Sequence, residues 1–245
     1  MQGIITAAGR GTRSGLDGKL RKEMLPIYYR EGDRIVLRPM IEVIASMMRS
    51  QGVDRISIVL DPADRRTAEY ISANIPYSRI VYQEPRNGYG GAVLSAGYTV
   101  MGNYFLLNAG DGILLKENIF DRMIKMRETG TCSNVLVVME VDNPQNYGTA
   151  ELSIESGRAY VTGVMEKDPN SRSKFAMCAV YLLDRSIMDH LSHDRSGIIE
   201  LTPAIQKSIE DGMRTCAIRV KRSEWASLGQ VTDYANVVNR SLKFF

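Results

Sequence analysis

Between Gly3 and Val141, short runs of β-branched and aliphatic residues alternate with segments carrying apolar residues at helical spacing. This alternation limits the chain to few folds. The apolar runs are Gly3–Ala8, Arg55–Asp61, Arg79–Gln83, Asn103–Gly110 and Asn134–Val141. Between them stand Pro39–Ser50, with Pro in the first turn and Gly52 beyond the end, and Pro62–Ile75, with Asp61 as N-cap and Pro62 opening the helix. Gly90–Met101 and Lys116–Gly130 complete the set. Such an order needs crossovers that lay helices on both faces of a mainly parallel central sheet, so the fold class is α/β in three layers. The second half has another texture. Gly148–Lys167 reads as two strands about a Ser156-Gly157 turn and Lys174–Asp184 as a long buried strand. Arg185–Leu191 and Glu200–Asp211 read as helices, Arg214–Val220 as a late strand and Val231–Leu242 as a closing helix. Arg30–Leu37, a charged turn with a short strand, is expected to be a small surface excursion.

No linker, low-complexity stretch or hexapeptide repeat divides the 245 residues, so one domain is expected over 1–245 with no appended β-helix. A net charge of +3 without a basic block or interleaved aromatics excludes a nucleic-acid groove. No apolar run reaches membrane-spanning length and no secretory leader is evident, so no membrane partner and a cytoplasmic location are expected. Cys132, Cys178 and Cys216 lie far apart without metal-binding spacing, and reduced, mostly buried thiols are expected. His190 and His193 share a helical spacing but find no third ligand, and read as surface residues.

The first strand runs into "GRGTRSG", Gly9–Gly15, at the ligand edge of an open α/β sheet. A dinucleotide fingerprint would start a helix inside such a loop, so that the helix N-terminus meets the pyrophosphate. Here turn-formers continue through "SGLDGKL" and no amphipathic helix begins before Pro39. The better reading is a long loop around a nucleoside triphosphate. Gly9 and Gly11 let backbone N–H groups approach phosphate oxygens, Thr12 adds a hydroxyl, Arg13 a planar fork and Lys22 a point charge.

"AAGRGTR" followed by "KEMLPI" resembles the signature of the sugar-1-phosphate nucleotidyltransferases, most of all the glucose-1-phosphate uridylyl- and thymidylyltransferases. "QEPRNGYGGAVLSA", "NAGDGI", "NPQNYGTAEL", "GVMEKDP" and "GIIELTPAI" resemble further segments of that family, in family order over most of the chain. The resemblance implies a Rossmann-like nucleotidyltransferase fold, with about 1–140 binding the nucleotide and about 141–245 the sugar phosphate. It implies the reaction of UTP or dTTP with glucose 1-phosphate to give a nucleoside diphosphate sugar and pyrophosphate. The sugar phosphate attacks the α-phosphorus in line, so positioning and charge neutralisation supply the catalysis.

Carried onto this sequence, the resemblance makes Arg13, Lys22 and Asp111 catalytic, with Asp111 also the ligand of Mg2+. Ala8, Gly9, Gly11, Thr12, Gln83 and Gly88 would bind the nucleotide, Gln83 by reading a pyrimidine edge and Gly88 by letting the base lie close. Tyr147, Gly148, Glu166 and Lys167 would bind the sugar phosphate. Adjacent strand residues point to opposite faces, so Glu166 and Lys167 can share a pocket only where the strand bends, expected near Asp168-Pro169. Self-association into a homo-oligomer is left open.

The chain departs from the family in three places. Met177–Tyr181 has Cys178 and Ala179 where a small residue and Gly are common, and Asp168 separates Lys167 from Pro169. In "EWASLG" Ser227 stands where the family carries a second metal-binding Asp; Glu224 and Asp233 are the acids nearby in sequence. Two alternatives therefore stand beside the enzyme: a non-catalytic sugar-nucleotide-binding regulator, and a nucleotidyltransferase acting on another phosphorylated acceptor.

Overall fold

A computed structural model describes residues 1–9, 11, 15–16, 20–116, 118–171 and 173–245, the side chain of Val231 excepted. The first half contains β1 (Gln2–Thr6), β2 (Pro26–Glu31), β3 (Arg34–Pro39), α1 (Met40–Ser50), β4 (Arg55–Leu60), α2 (Arg65–Asn74), β5 (Ser78–Tyr82), α3 (Tyr89–Ala96), β6 (Tyr104–Ala109), β7 (Gly112–Leu114), α4 (Ile119–Glu128) and β8 (Asn134–Glu140). The second contains β9 (Gly148–Glu155), β10 (Arg158–Glu166), β11 (Phe175–Asp184), α5 (Ile187–His190), α6 (Leu201–Glu210), β12 (Thr215–Val220), β13 (Trp225–Ser227) and α7 (Tyr234–Phe244).

One mixed sheet holds nine of these strands in the order β5-β4-β1-β6-β11-β8-β12-β10-β9. β5, β4, β1 and β6 run parallel, and β8 runs parallel to β12. β11 is antiparallel to both β6 and β8 and joins the two parallel groups. Helices cover both faces, as the alternation requires. On one face α1, α4 and α7 pack Met40, Ile44, Met123 and Val237 onto Ile5, Leu106 and Val137. On the other, α3, α5 and α6 pack Val93, Ile187 and Ile205 onto Ile4, Leu107 and Leu136. No helix among the described residues is long and apolar enough to cross a membrane.

β11 is the part of this sheet that matters most for the site. Val180 stands opposite Asn108 at the end of β6, while Ala176 stands opposite Thr149 at the start of β9. Four residues of one strand, about 13 Å, therefore separate the carboxyl end of β6 from the open end of the β9–β10 hairpin. Between them the pairing with β8 shifts register from Met177 to Tyr181, and Ala179 takes a left-handed φ of 52°. This bulge falls where the family often has Gly, and it turns β11 with an alanine instead.

Several expectations need correction. The charged excursion is a full hairpin, β2 with β3, registered from Pro26↔Pro39 to Glu31↔Arg34. Its inner end is held by α7: the Tyr234 hydroxyl donates to the Pro26 carbonyl at 2.6 Å, and the Tyr28 amide donates to Ser241 Oγ at 3.1 Å. α2 starts three residues later than expected. Its N-cap is Asp64, which accepts the Thr67 amide at 3.3 Å, because Asp61 is already held by the Ala63 amide, Arg21 and Arg86. Cys132 and Cys216 are joined in a disulfide rather than reduced: β12 pairs with β8 so that Cys216 lies opposite Val135, which closes 84 residues of sequence to a Cα–Cα distance of 5.8 Å. Cys178 is the buried free thiol.

A left-handed backbone costs a non-glycine residue about 1 kcal/mol, partly offset for glycine by its greater freedom when unfolded. Ala179→Gly is therefore expected to raise the thermal midpoint by up to about 3 °C, and the β-branched Ala179→Val to lower it, in calorimetry at one pH. A lower midpoint for the glycine variant would contradict the bulge.

Candidate active site

Four parallel strands deliver their carboxyl ends to one edge. The Ala7 amide donates to the Val59 carbonyl at 2.8 Å, Gly110 to Thr6 at 2.9 Å and Gln83 to Leu60 at 2.9 Å, so the segments leaving β1, β6 and β5 stay tied together past the strands. Ala8 is buried beside this edge and Gly9 is exposed, with Gly11 following in a left-handed turn of φ 62°. Thr12 and Arg13 lie outside the described residues. Arg21 anchors the far end of the loop: its guanidinium donates to the Gly9 carbonyl at 2.8 Å and pairs with Asp61 at 3.2 Å and Asp64 at 3.1 Å. Burial raises the Asp61 carboxyl, but the Ala63 amide, Arg86 and Arg21 together outweigh it and hold the group below its ordinary value.

Beyond this anchor Lys22 forms an ion pair with Asp111. Asp111 sits in a turn between β6 and β7 that Asn108 shapes from below. The buried Asn108 amide donates to the Ala109 carbonyl at 2.7 Å and to Gly112 at 2.9 Å, so it accepts no freedom from the loop above it. Gly112 must be glycine, since a Cβ there would meet the Trp225 ring at 2.1 Å. The Asp111 side chain keeps a third of its surface exposed, so it is both held and reachable.

Sequence reading missed Glu23. It is 4 % exposed, and its chain packs where a Cβ on Gly110 would come within 3.2 Å. Burial first, and the charge of Asp111 second, push its carboxyl up to about 7. The Tyr89 hydroxyl is buried nearby, and burial and then Asp111 hold it well above the usual phenol range.

Gln83 is buried, and its amide nitrogen donates to the Gly88 carbonyl at 2.9 Å and to Asn87 Oδ1 at 3.3 Å. It braces the turn into α3. Gly88, with φ 105°, makes its close approach to protein: a Cβ there would lie 2.4 Å from the Ile199 carbonyl. The segment before α6 thus seats α3, with the Gly91 amide donating to the Ile199 carbonyl at 3.3 Å and the Ile199 amide to the Asn87 carbonyl at 2.6 Å; burial, then Glu166, raises the Glu200 carboxyl.

The second cluster lies at the open end of the β9–β10 hairpin. Lys167 itself takes the left-handed conformation, φ 45°, so the bend falls one residue earlier than expected and brings both side chains to one side. Its ammonium lies 3.2 Å from Glu166 Oε1, while Glu166 Oε2 accepts the Thr202 hydroxyl at 2.6 Å. The Lys167 amide donates to the Tyr147 carbonyl at 3.1 Å, and a Cβ on Gly148 would meet Glu166 Oε2 at 3.0 Å. Tyr147, Gly148, Glu166 and Lys167 thus form one cluster. Thr202 belongs to it through a helix that enters the pocket from 36 residues away in sequence.

Ser227 pairs with Gly112, and the Leu228 amide donates to the Asp111 carbonyl at 2.7 Å, so the backbone of Ser227 and Leu228 runs beside the turn that carries Asp111. Neither nearby acid replaces the missing carboxylate. Glu224 binds Lys116 at 2.7 Å and the Lys221 amide at 2.7 Å; Asp233 Oδ2 accepts the Gln230 amide at 2.9 Å. Among the described residues no group of three or more acids, cysteines or histidines could hold a metal. Mg2+ is commonly held by one or two carboxylates together with substrate phosphates, and a single exposed carboxylate at a strand end fits that mode.

The nucleotidyl transferase family model matches residues 2–243. The bifunctional protein GlmU of Methanococcus maripaludis is 28% identical over 99% of this chain and 54% of its own length. The low-salt glycan biosynthesis nucleotidyltransferase Agl11 of Haloferax volcanii is 24% identical over 95% of this chain and 64% of its own. The chain spans about half the length of the first curated relatives it matches. A UDP-glucose pyrophosphorylase solved with UDP-glucose superposes with a TM-score of 0.81 at 20% identity, covering 99% of this chain and 97% of that one, which shows a shared fold.

The Glu23 carboxyl gives a pH test with a definite sign. Its proton is bound more tightly in the folded chain, so the associated stability is full below about pH 4.5 and is lost as pH rises through about 7. The loss is about 3 kcal/mol. Urea titrations with chelator present are expected to show this decline in the natural chain between pH 5 and pH 8. In Glu23→Gln the slope should be largely absent.

Proposed function

The chain belongs to the nucleotidyl transferase family, and from that premise we propose that it joins UTP or dTTP to glucose 1-phosphate. The products are a nucleoside diphosphate glucose and pyrophosphate. The single observation that carries this reading is the spacing along β11: β6, which leads to the turn of Asp111, and β9, which pairs with the strand ending in Glu166, meet β11 four residues or about 13 Å apart, and each leads to an ion-paired lysine. Two phosphorylated substrates each find a lysine there, on a rigid support.

An oxygen of the sugar phosphate attacks the α-phosphorus, forming a P–O bond as the bond to the β-phosphate breaks and pyrophosphate leaves. No protein nucleophile takes part. Lys22 would neutralise the α-phosphate, and Arg13 the departing pyrophosphate. Ala8, Gly9, Gly11 and Thr12 would line the phosphates, and the turn that Gln83 braces at Gly88 would receive the base. Lys167 would hold the sugar phosphate. Glu166 would accept sugar hydroxyls, with one carboxylate oxygen already fixed by Thr202. Asp111 would hold Mg2+ together with the nucleotide's phosphates, and when bound the ion supplies further charge neutralisation there. Nucleoside triphosphates of the cytoplasm are the natural supply.

Ser227 supports a second reading, a regulator that binds sugar nucleotides without turnover, because a serine on the strand paired with β7 brings no charge where the family carries an Asp. Release of pyrophosphate decides between them, measured with Mg2+, each common nucleoside triphosphate and glucose 1-phosphate. Turnover with UTP or dTTP is expected. Tight triphosphate binding with no turnover, for glucose 1-phosphate or for alditol and choline phosphates, would overturn the enzyme reading.

In the same assay Lys22→Ala and Asp111→Asn are each expected to lower kcat/KM by about 10²–10³. Ser227→Asp should lower the Mg2+ concentration that gives half-maximal rate.

A further inference from the structure

The opposite edge of the sheet carries a second cavity, of about 510 Å³, at the amino ends of β1, β4 and β5. These strands are five or six residues long, so about 16–20 Å separates it from the Lys22–Asp111 pair.

The register explains its contents. Gln2 pairs with Arg55 and Ser57 with Arg79, and residues two apart on a strand share a face, so all four side chains stand on one side of the sheet. Ser57 and Gln2 are already used: the Ser57 hydroxyl donates to Thr99 Oγ1 at 2.9 Å, and the Gln2 amide donates to the Thr99 carbonyl at 3.0 Å. These bonds hold the segment after α3 across the cavity. The two arginines are not used in this way. Among the described residues neither has a carboxylate within ion-pairing distance, although both line the cavity. Asp54 is the one carboxylate among the lining residues. It is held by the Met1 ammonium at 2.9 Å and by Arg49 at 3.7 Å, and these, with a smaller contribution from the Arg55 charge, keep it below its ordinary value.

Two guanidiniums one strand and two residues apart, roughly 8 Å at their Cα atoms, can converge on one tetrahedral anion. Beside them the cavity presents an apolar wall. Tyr98 is 67 % exposed and Met101 75 % exposed, and both line the same space. A guanidinium pair next to an open ring and thioether matches a molecule with a phosphate at one end and a flat or apolar body at the other. The volume is that of a small-molecule site.

We propose that this cavity binds a phosphate ester, with its phosphate on Arg55 and Arg79 and its organic part against Tyr98. The site is separate from the sugar-nucleotide site and does not rest on the function proposed above.

Calorimetric titration of the full chain tests it, using UMP, glucose 6-phosphate, inorganic phosphate and uridine as probes. The natural chain, Lys22→Ala, the double variant Arg55→Ala/Arg79→Ala, and Tyr98→Ala are compared, each first checked for an unchanged thermal midpoint. Binding of a phosphate ester is expected to persist in Lys22→Ala. It should weaken at least tenfold in the double arginine variant and weaken further as salt rises. Uridine is expected not to bind there. Tyr98→Ala should weaken the ester and leave inorganic phosphate unchanged, and the tighter of UMP and glucose 6-phosphate identifies the organic part. Unchanged ester binding in the double variant, or loss of all ester binding in Lys22→Ala, would overturn the proposal.

Discussion

Everything at the candidate site depends on β11 being paired on both sides. Its lower half hydrogen-bonds to β6 and β8, its upper half to β8 and the start of β9. A single ten-residue strand therefore fixes the turn carrying Asp111 relative to the hairpin carrying Glu166. Hydrogen-bonded ladders are hard to stretch, so this spacing does not rely on side-chain packing. The left-handed Ala179 lies between the two contact points and sets the angle at which the strand leaves one group and meets the other. A residue with little side-chain chemistry thereby acts on geometry that two halves of the chain share.

Charge is arranged with equal economy. Lys22 pairs with Asp111, while Glu23, next in sequence, is buried close enough for Asp111 to raise its carboxyl further. Arg21, one residue the other way, is spent on Asp61, Asp64 and the Gly9 carbonyl. Three consecutive side chains thus do three jobs: one anchors the glycine loop, one faces the open edge and one fills the space beneath it. The short helical turn at Lys22–Met24 makes this possible, since it points successive side chains in different directions.

The alternation of strands and helices was readable because burial on both faces of a parallel sheet demands long apolar runs, and those runs are local. So were the Ser156-Gly157 turn and the loop glycines, whose backbone needs are local too. What escaped was set by residues far away in sequence. The extent of the β2–β3 hairpin depends on Tyr234 and Ser241, and the disulfide on the β8–β12 register. The start of α2 moved because Arg21 and Arg86 had claimed Asp61. At the candidate site Lys22, Asp111, Glu166 and Lys167 stood out through the motifs that carry the family resemblance. Glu23 and Thr202 did not, since an acid in a loop and a hydroxyl in a helix become informative only once burial and partners are known. Gly88 shows the limit of reading a glycine. The close approach was there, but to the Ile199 carbonyl.

Ser227 gains sense from the same electrostatics. A carboxylate at that position would add a further acid on the strand paired with β7, next to the turn of Asp111, while burial first and Asp111 second already push the Glu23 carboxyl up to about 7. A hydroxyl adds no such charge and leaves the Lys22–Asp111 pair as it stands. In the proposed reaction the consequence is coupling. A site with one reachable carboxylate recruits a divalent ion weakly until phosphates arrive to share it, whereas a two-carboxylate site can load the ion first. Exchange of Asp for Ser would then alter the order in which ion and nucleotide are gathered, and leave intact the two lysines that face the substrates.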